Sequence, residues 1–557
     1  MGKVNNVGRS INKTWFFFLI CVFLITTFGY TARAENANFS DVPAGHWAYS
    51  DILTLKNLNV TQGVGNNTFG LGRTMTRAEY VTFLTKLFGW DARQTAAGEP
   101  WYAAYVDAAA SAGAVTAAEA AAFRPNDPIT RDEIAVMLIR SLGYDALAQQ
   151  LNTLPAPFAD VTQDIGYITM AKDFGIVYGV NNTSFNPGAT ALREEGAAMM
   201  VRLYNKLEAA KKLAPGSGWL NVFYAISSYS QKDMMGMADS VSFGWGRVEW
   251  RDGVYLNMTQ SQGNAYYRPD GYEAVLAEVR ADNKDAMLMV TVDEKMVTPA
   301  DGSASQALSS YLLGSDQLRR KMVTQIAAAA ADFDGVVIDF ENLRGDQTRR
   351  DFVDFLTELR STLTANSNQI YVAVQPVRQP GQPYYDGYDY RSIGKTADKV
   401  ILMAHDYYAK SLTDDEMNNG FDVTPLAPIG EVYYALKAIT DPNTGVEDAG
   451  KVLLQCSFDS VQWKAQNGVI INRTPLNPTY GAIADRISMG AVPQYSYKYE
   501  SPFLKFYNQD DSTDNIVWYE NKQSVQAKLN LAAMFQVNGV SLWRLGIIPI
   551  DVSTLFD

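Results

Sequence analysis

The sequence predicts an α/β protein in which an all-α bundle of three repeats precedes a C-terminal (β/α)8 barrel. Three observations carry this expectation. One motif recurs three times within the first 210 residues. Eight short apolar runs then alternate with amphipathic helical patterns through the rest of the chain. At 557 residues the chain is also too long for one ordinary domain of roughly 150 residues.

Lys3, Arg9 and Lys13 precede the apolar run Trp15–Tyr30, and Ala32-Arg33-Ala34 follows it. A basic start, an apolar stretch and small residues at a cleavage point are the layout of a secretory signal peptide, here residues 1–34. The apolar run, roughly 16 residues, is shorter than the ~20 that cross a bilayer as a helix. An exported chain with no stable membrane span is therefore expected. Cleavage removes four cations and no acid, taking the net charge from −13 to −17. Such an acidic chain lacks the basic face that nucleic acid requires. The two cysteines, Cys21 and Cys456, and the two histidines, His46 and His405, exclude a disulfide framework and a His/Cys zinc site within one domain. No metal or other cofactor is expected.

Phe39-Ser40-Asp41-Val42 recurs as Phe158-Ala159-Asp160-Val161. More strictly, a Phe is followed eight residues later by Arg and then by Glu, as Phe69/Arg77/Glu79, Phe123/Arg131/Glu133 and Phe185/Arg193/Glu195. Each Arg-x-Glu opens an amphipathic stretch. Thr76 and Thr130 stand at N-cap positions with acids in the first turn, which suits the helix dipole. Each copy thus reads as helix, Gly/Asn-rich loop, helix.

With Thr76-Arg77-Ala78-Glu79, Thr130-Arg131-Asp132-Glu133 and His46-Trp47-Ala48, the pattern resembles the S-layer homology (SLH) module, in copies at 35–92, 93–150 and 151–208. The resemblance implies a three-fold bundle whose grooves bind an anionic secondary polysaccharide of a Gram-positive-type cell wall. On that analogy Arg77, Arg131 and Arg193, with Trp47, hold the glycan, a planar guanidinium being suited to bidentate pairing with carboxylate. The alternative for each Arg is an ion pair with its own Glu. The third copy departs from the pattern: Leu192 replaces the Thr, and no Trp follows Asp160.

A Lys-, Pro- and Gly-containing stretch at 209–218 reads as a linker. The apolar runs of the region 219–557 are Trp219–Ile226, Val241–Trp245, Met287–Val292, Phe333–Phe340, Ile370–Gln375, Val400–Ala404, Val452–Phe458 and Val540–Leu545. Apolar strands alternating with helices argue for a parallel sheet covered on both faces, and eight of them for a closed barrel with its chemistry at the strand C-termini. Element limits within Ser227–Lys284 are indistinct.

The fourth run ends Ile338-Asp339-Phe340-Glu341. Two acids two residues apart on a strand share a face. Close carboxylates cannot both ionise freely, so one keeps its proton, as cleavage of a glycosidic bond needs. An ion pair with a barrel Lys or Arg is the structural alternative.

The motif Asp334-Gly335-x-x-x-Asp339-x-Glu341 resembles glycoside hydrolase family 18, the chitinase-like barrels. Tyr388-Asp389-Tyr390, Asp398 and Met403-Ala404-His405-Asp406-Tyr407 resemble the stretch into that family's sixth strand. Trp518-Tyr519-Glu520, Ser524, Lys528 and Gly539–Gly546 resemble the terminal part of its spore-cortex-lytic branch. The resemblance implies substrate-assisted retaining hydrolysis of a β-1,4-linked N-acetylhexosamine. Glu341 would be the proton donor, Asp339 would orient the 2-acetamido group, and Asp334 would complete the catalytic motif in a more structural part. His405, Asp406, Tyr407, Met403, Gln375 and Trp543 would contact the sugar, Trp543 as the floor of the reacting subsite. Two departures stand out: Val337 replaces the family's middle Asp, and His405 replaces a Tyr.

Together these readings describe a wall-anchored glycosidase acting on an N-acetylglucosamine-containing glycan, peptidoglycan favoured over chitin oligomers. The alternative is a non-catalytic glycan-binding surface protein on the same barrel. A metal-dependent deacetylase is weaker, because His405 is the barrel's only histidine.

Overall fold

The structure, a computed structural model, describes residues 39–212, 218–299, 302, 304–363, 369–377, 386–419 and 425–556. The expected signal segment and residues 213–217 of the expected linker lie outside the described residues, while residues 209–212 are not linker but the last turn of a helix that ends at Lys212.

Residues 39–212 are helical. Each of the three copies contributes a pair: α1 (Tyr49–Asn57) with α2 (Arg77–Phe88), α3 (Ala103–Ser111) with α5 (Arg131–Ser141), and α7 (Ile165–Asp173) with α8 (Arg193–Lys212). Two short helices, α4 (Ala117–Ala121) and α6 (Asp145–Leu151), fill the connections. Thr76 and Thr130 cap α2 and α5 in reciprocal boxes with Glu79 and Glu133. The third copy keeps half of this device: without a Thr hydroxyl, the Leu192 N–H still donates to Glu195 Oε2 at 2.8 Å.

The copies close on one another around a backbone triangle. Met75 N–H donates to Ala191 O, Ala191 N–H to Ile129 O, and Ile129 N–H to Met75 O, at 2.9–3.0 Å. Around it, each arginine reaches the following copy. Arg77 pairs with Glu133 and lies over Phe123, and Arg193 pairs with Glu79 at 3.3 Å and lies over Phe69. Arg131 lies over Phe185, with Glu195 as its favourable charge. The Arg–Glu pairing anticipated within one copy is thus formed between copies.

Eight parallel strands form the barrel: β1 (Leu220–Tyr224), β2 (Ser240–Trp250), β3 (Asp285–Val292), β4 (Gly335–Asp339), β5 (Gln369–Val374), β6 (Lys399–Leu402), β7 (Val452–Ser457) and β8 (Gly539–Trp543). Pairing of β1 with both β8 and β2 closes the ring. All eight predicted runs are strands. The indistinct stretch resolves into a 3-10 helix (Ser228–Met237), an extension of β2 that hairpins onto Val254–Asn257, and a helix (Tyr272–Ala281).

A five-stranded antiparallel sheet built from Val461 to Trp518 is inserted after β7. The sequence reading placed no element there. Its Val461–Gln466 strand buries alternate residues, Val461 and Trp463, and so lacks the continuous apolar character of a barrel strand.

The bundle packs directly on the barrel's outer helices. Asp173 Oδ2, at the end of α7, accepts from Tyr433 OH at 2.5 Å and pairs with Lys437 at 2.7 Å. Phe174 meets Phe535 edge-on at 5.4 Å between centroids.

Candidate active site

Strand β4 shows how the sequence builds the site. Val336, Ile338 and Phe340 face outward, Phe340 stacking on Phe355 at 5.2 Å, in the helix Asp346–Thr362. Val337 faces inward, in a cluster with Met289, Tyr371, Met403 and Leu453 that fills the barrel. Asp339 and Glu341 continue the inward alternation and emerge at the strand's C-terminal end. Gly335 is required at the other end, because a Cβ there would lie 2.2 Å from Gln369 O.

Asp339 is 4% exposed and its Oδ1 has no hydrogen-bond partner among the described residues. Burial, then the nearby Glu294 charge, pushes its carboxyl well above the usual range. Glu341 is reached by solvent but crowded by protein. Burial, then the charges of Asp339, Glu294 and Asp406, raises it too. The like charge missing at Val337 is thus supplied from another strand, by Glu294 just beyond β3. Glu294 Oε1 also accepts from Asn342 Nδ2 at 2.8 Å, which holds it beside the pair.

His405 and Asp406 follow β6. His405 Nε2 is 2.7 Å from Gln455 Oε1, and its Nδ1 is 3.7 Å from Asp406 Oδ2. Burial works against the Asp406 charge, but the adjoining His405 imidazole, with Lys410 behind it, holds that carboxyl down at about 2. Trp543 ends β8, half-buried, with its ring edge-on to Phe223 at 5.1 Å. Gln375 follows β5, and its Oε1 accepts from Asn342 N–H at 2.6 Å and lies 3.3 Å from the Tyr388 hydroxyl oxygen.

The barrel mouth therefore gathers Asp339, Glu341, Gln375, His405, Asp406 and Trp543. Met403 belongs to the interior cluster below them. Tyr407 is buried toward the outer helix Ile429–Ile439, its OH 3.5 Å from Glu431 O.

Asp334 requires a correction. It precedes β4 and so lies at the opposite end of the barrel, where its Oδ2 accepts from Ala286 N–H at 2.8 Å and secures the start of β3. It contributes to the fold and not to the cleft. Tyr388 and Tyr390 are buried, donating to Phe340 O and Gln375 O, so they pack the wall behind the cleft; Tyr384 and Tyr385 lie outside the described residues.

Sequence reasoning missed Glu294, Tyr266, Gln455, Asp459 and Arg544. Glu294 and Asp459 each follow a predicted strand by one or two residues, and Arg544 lies within the last one, so position alone could have found them. Tyr266 faces Asp339 and Glu341 from the stretch whose limits were indistinct.

In the bundle, Arg77, Arg131 and Arg193 are buried, with Arg193 at 2% exposure, and commit their guanidinium groups to the contacts between copies. Trp47 is 58% exposed and leans on His46.

Residues 38–81, 96–135 and 157–197 match the S-layer homology domain, and residues 267–547, about half of the chain, match glycosyl hydrolases family 18. The chain belongs to glycosyl hydrolase family 18. Among curated relatives it is 27% identical over 252 residues to the cortical fragment-lytic enzyme of Bacillus subtilis (strain 168), covering 44% of this chain and 54% of that protein. It is 22% identical over 277 residues to the enzyme of that name from Bacillus anthracis, covering 48% and 57%. The chain thus spans little more than half the length of these relatives. The crystal structure of the Bacillus cereus spore cortex-lytic enzyme SleL aligns with a TM-score of 0.48 at 16% identity, over 61% of this chain and 73% of that one.

For a family 18 barrel, the raised carboxyls have a direct consequence. The Glu341 carboxyl keeps its proton into the neutral range and loses it as pH rises through its raised value. Glu294→Gln removes a like charge from both acids, which favours their ionised forms. The basic limb of the kcat/KM profile should then move to lower pH, by roughly one unit; a pH–rate series on the two proteins checks it.

Proposed function

We propose that the protein is an exported glycosidase held on the cell wall by its SLH bundle, hydrolysing a β-1,4-linked N-acetylglucosamine-containing glycan. The observation that carries this reading is the Asp339/Glu341 pair, facing inward at the C-terminal mouth of the barrel with both carboxyls biased toward the protonated form. Glu341 gives its proton to the glycosidic oxygen. Asp339, buried behind it, turns the substrate's 2-acetamido group so that the carbonyl oxygen attacks the anomeric carbon, and stabilises the oxazolinium-like intermediate. His405 and Asp406 hold sugar or acetamido groups, and Trp543 supplies an apolar floor for the ring. Water then opens the intermediate, with Glu341 accepting its proton. The substrate carbonyl replaces a carboxylate nucleophile, so this scheme lies outside the two-carboxylate pattern of most glycosidases.

Peptidoglycan is the favoured polymer. The relatives' names point to spore cortex, and an SLH anchor places the barrel against a wall. Trp47 offers the accessible contact for the wall polysaccharide, with Arg77, Arg131 and Arg193 supplying positive charge behind the grooves. Trp47→Ala should weaken sedimentation of the protein with purified walls by roughly tenfold, leaving hydrolysis of soluble oligomers intact.

The deciding experiment is product analysis by mass spectrometry after incubation with purified peptidoglycan and, separately, with chitin oligosaccharides. New reducing-end N-acetylglucosamine fragments establish the glycosidase and identify its polymer. Retained wall binding with no fragments from either polymer, from mildly acidic to mildly alkaline pH, would leave a glycan-binding surface protein.

A further inference from the structure

Strand β7 carries a polar side chain where an apolar one is expected. Gln455 is 3% exposed and sits in the barrel interior. Its Nε2 is 3.4 Å from Ser541 Oγ on β8, which also accepts from Asn221 Nδ2 on β1 at 3.1 Å. Asn221 Oδ1 in turn accepts from Ser240 and Ser242 on β2, at 3.0 and 2.7 Å. These neighbours are fully buried. A hydrogen-bonded line of neutral side chains thus crosses the barrel and ends on His405.

Burying such a line costs stability unless each member is paired, so its end point is informative. At His405 Nε2 the line presents an amide oxygen at 2.7 Å. At Nδ1 the ring faces a carboxylate oxygen, Asp406 Oδ2, at 3.7 Å, an ion-pair separation rather than a hydrogen bond. Both oxygens can only accept. A neutral imidazole has one N–H and would turn a lone pair toward one of them, whereas an imidazolium has an N–H for each.

We propose that Gln455 is a positioning residue that, together with Asp406, keeps His405 as an imidazolium, giving the acidic cleft a fixed internal cation beside Glu341. The charged groups facing the ring are Asp406, Glu341 and Asp459, with Lys410 paired to Asp406 at 3.5 Å. Burial pulls the ring toward neutrality, but the adjoining Asp406 carboxylate, the Gln455 bond and the Glu341 charge outweigh it and hold its pKa above the ordinary value. The cation has a use at the step assigned above. When Glu341 passes its proton to the leaving oxygen it becomes a carboxylate, which the imidazolium stabilises. The catalytic part of this inference rests on the glycosidase reading; the charge state of His405 does not.

The chain's two histidines make the test direct. Nitrogen-15 labelling at histidine yields two imidazoles, and His46→Gln assigns them. At about pH 6.5, the ordinary imidazole value, His405 should be mostly protonated on both nitrogens in the unmodified protein. In Gln455→Leu its titration midpoint should fall by about one to two pH units, with the basic limb of kcat/KM falling alongside, and Gln455→Glu should restore it. A singly protonated His405 in the unmodified protein at that pH, or a midpoint unmoved by Gln455→Leu, overturns the proposal. The spectra need no turnover, so an inactive protein with a doubly protonated His405 would refute the glycosidase reading and leave the charge assignment standing.

Discussion

Glu341→Gln is expected to lower kcat/KM on a susceptible glycan by roughly a thousandfold, the scale of a positioned general acid. Gln keeps the size and polarity of the side chain but has no proton to give. Binding of the intact glycan should persist, because Trp543, Asp339 and the His405–Asp406 pair are untouched. Stability should change in the opposite direction to activity. The Glu341 carboxyl is raised in the folded protein, so it costs stability as pH rises from the ordinary carboxylate value, where the unfolded chain ionises, up to the raised value, where the loss is complete. The variant should therefore melt with the parent protein at about pH 4, below the ordinary carboxylate value, and increasingly above it as pH rises into mild alkali. Steady-state kinetics and calorimetry at two pH values test both halves. An unchanged rate would remove Glu341 from the role of proton donor.

The largest stability effect is expected at Lys528. It lies in the helix Lys522–Met534 and reaches Glu520, the second residue beyond the inserted sheet, at 2.8 Å. Both residues are 3% exposed. Ser524 Oγ completes the arrangement with a hydrogen bond of 2.6 Å to the same carboxylate oxygen. Lys528→Met strands a buried carboxylate and should cost about 3–5 kcal/mol. Adding Glu520→Gln should recover most of this, since two well-packed neutral side chains are no worse than a buried pair. Urea unfolding of the single and double variants measures the coupling. The pair fastens the inserted sheet to the barrel wall, so the single variant should also loosen the adjoining sheet residues in hydrogen exchange.

How much of this was legible follows from what each residue does. The barrel strands were legible because burial on both faces makes them continuous apolar runs, and Asp339 and Glu341 because acids in such a run conflict with burial. The inserted sheet was not, because its strands are covered on one face and alternate in character, and because a barrel account needs no element there. Glu294 and Gln455 mark a different limit. Each acts through a partner supplied by a remote segment, Asn342 for one and His405 for the other, and no local pattern announces that meeting. Asp334 shows the converse: a motif contiguous in sequence is split between the two ends of a strand, and only its last members reach the cleft.

The backbone triangle of the bundle also governs how many copies the module can hold. Stacked repeats in a solenoid have two terminal units, and units can be added or lost at either end. Here the hand-to-hand sequence of Arg77 on the second copy, Arg131 on the third and Arg193 back on the first has no terminus. A fourth copy has no edge to join, and loss of any one copy strips a neighbour of its guanidinium cover and leaves another arginine without its aromatic ring. The three copies therefore stand or fall together, and removing one should open the ring and destabilise the two that remain rather than leave a shorter intact stack.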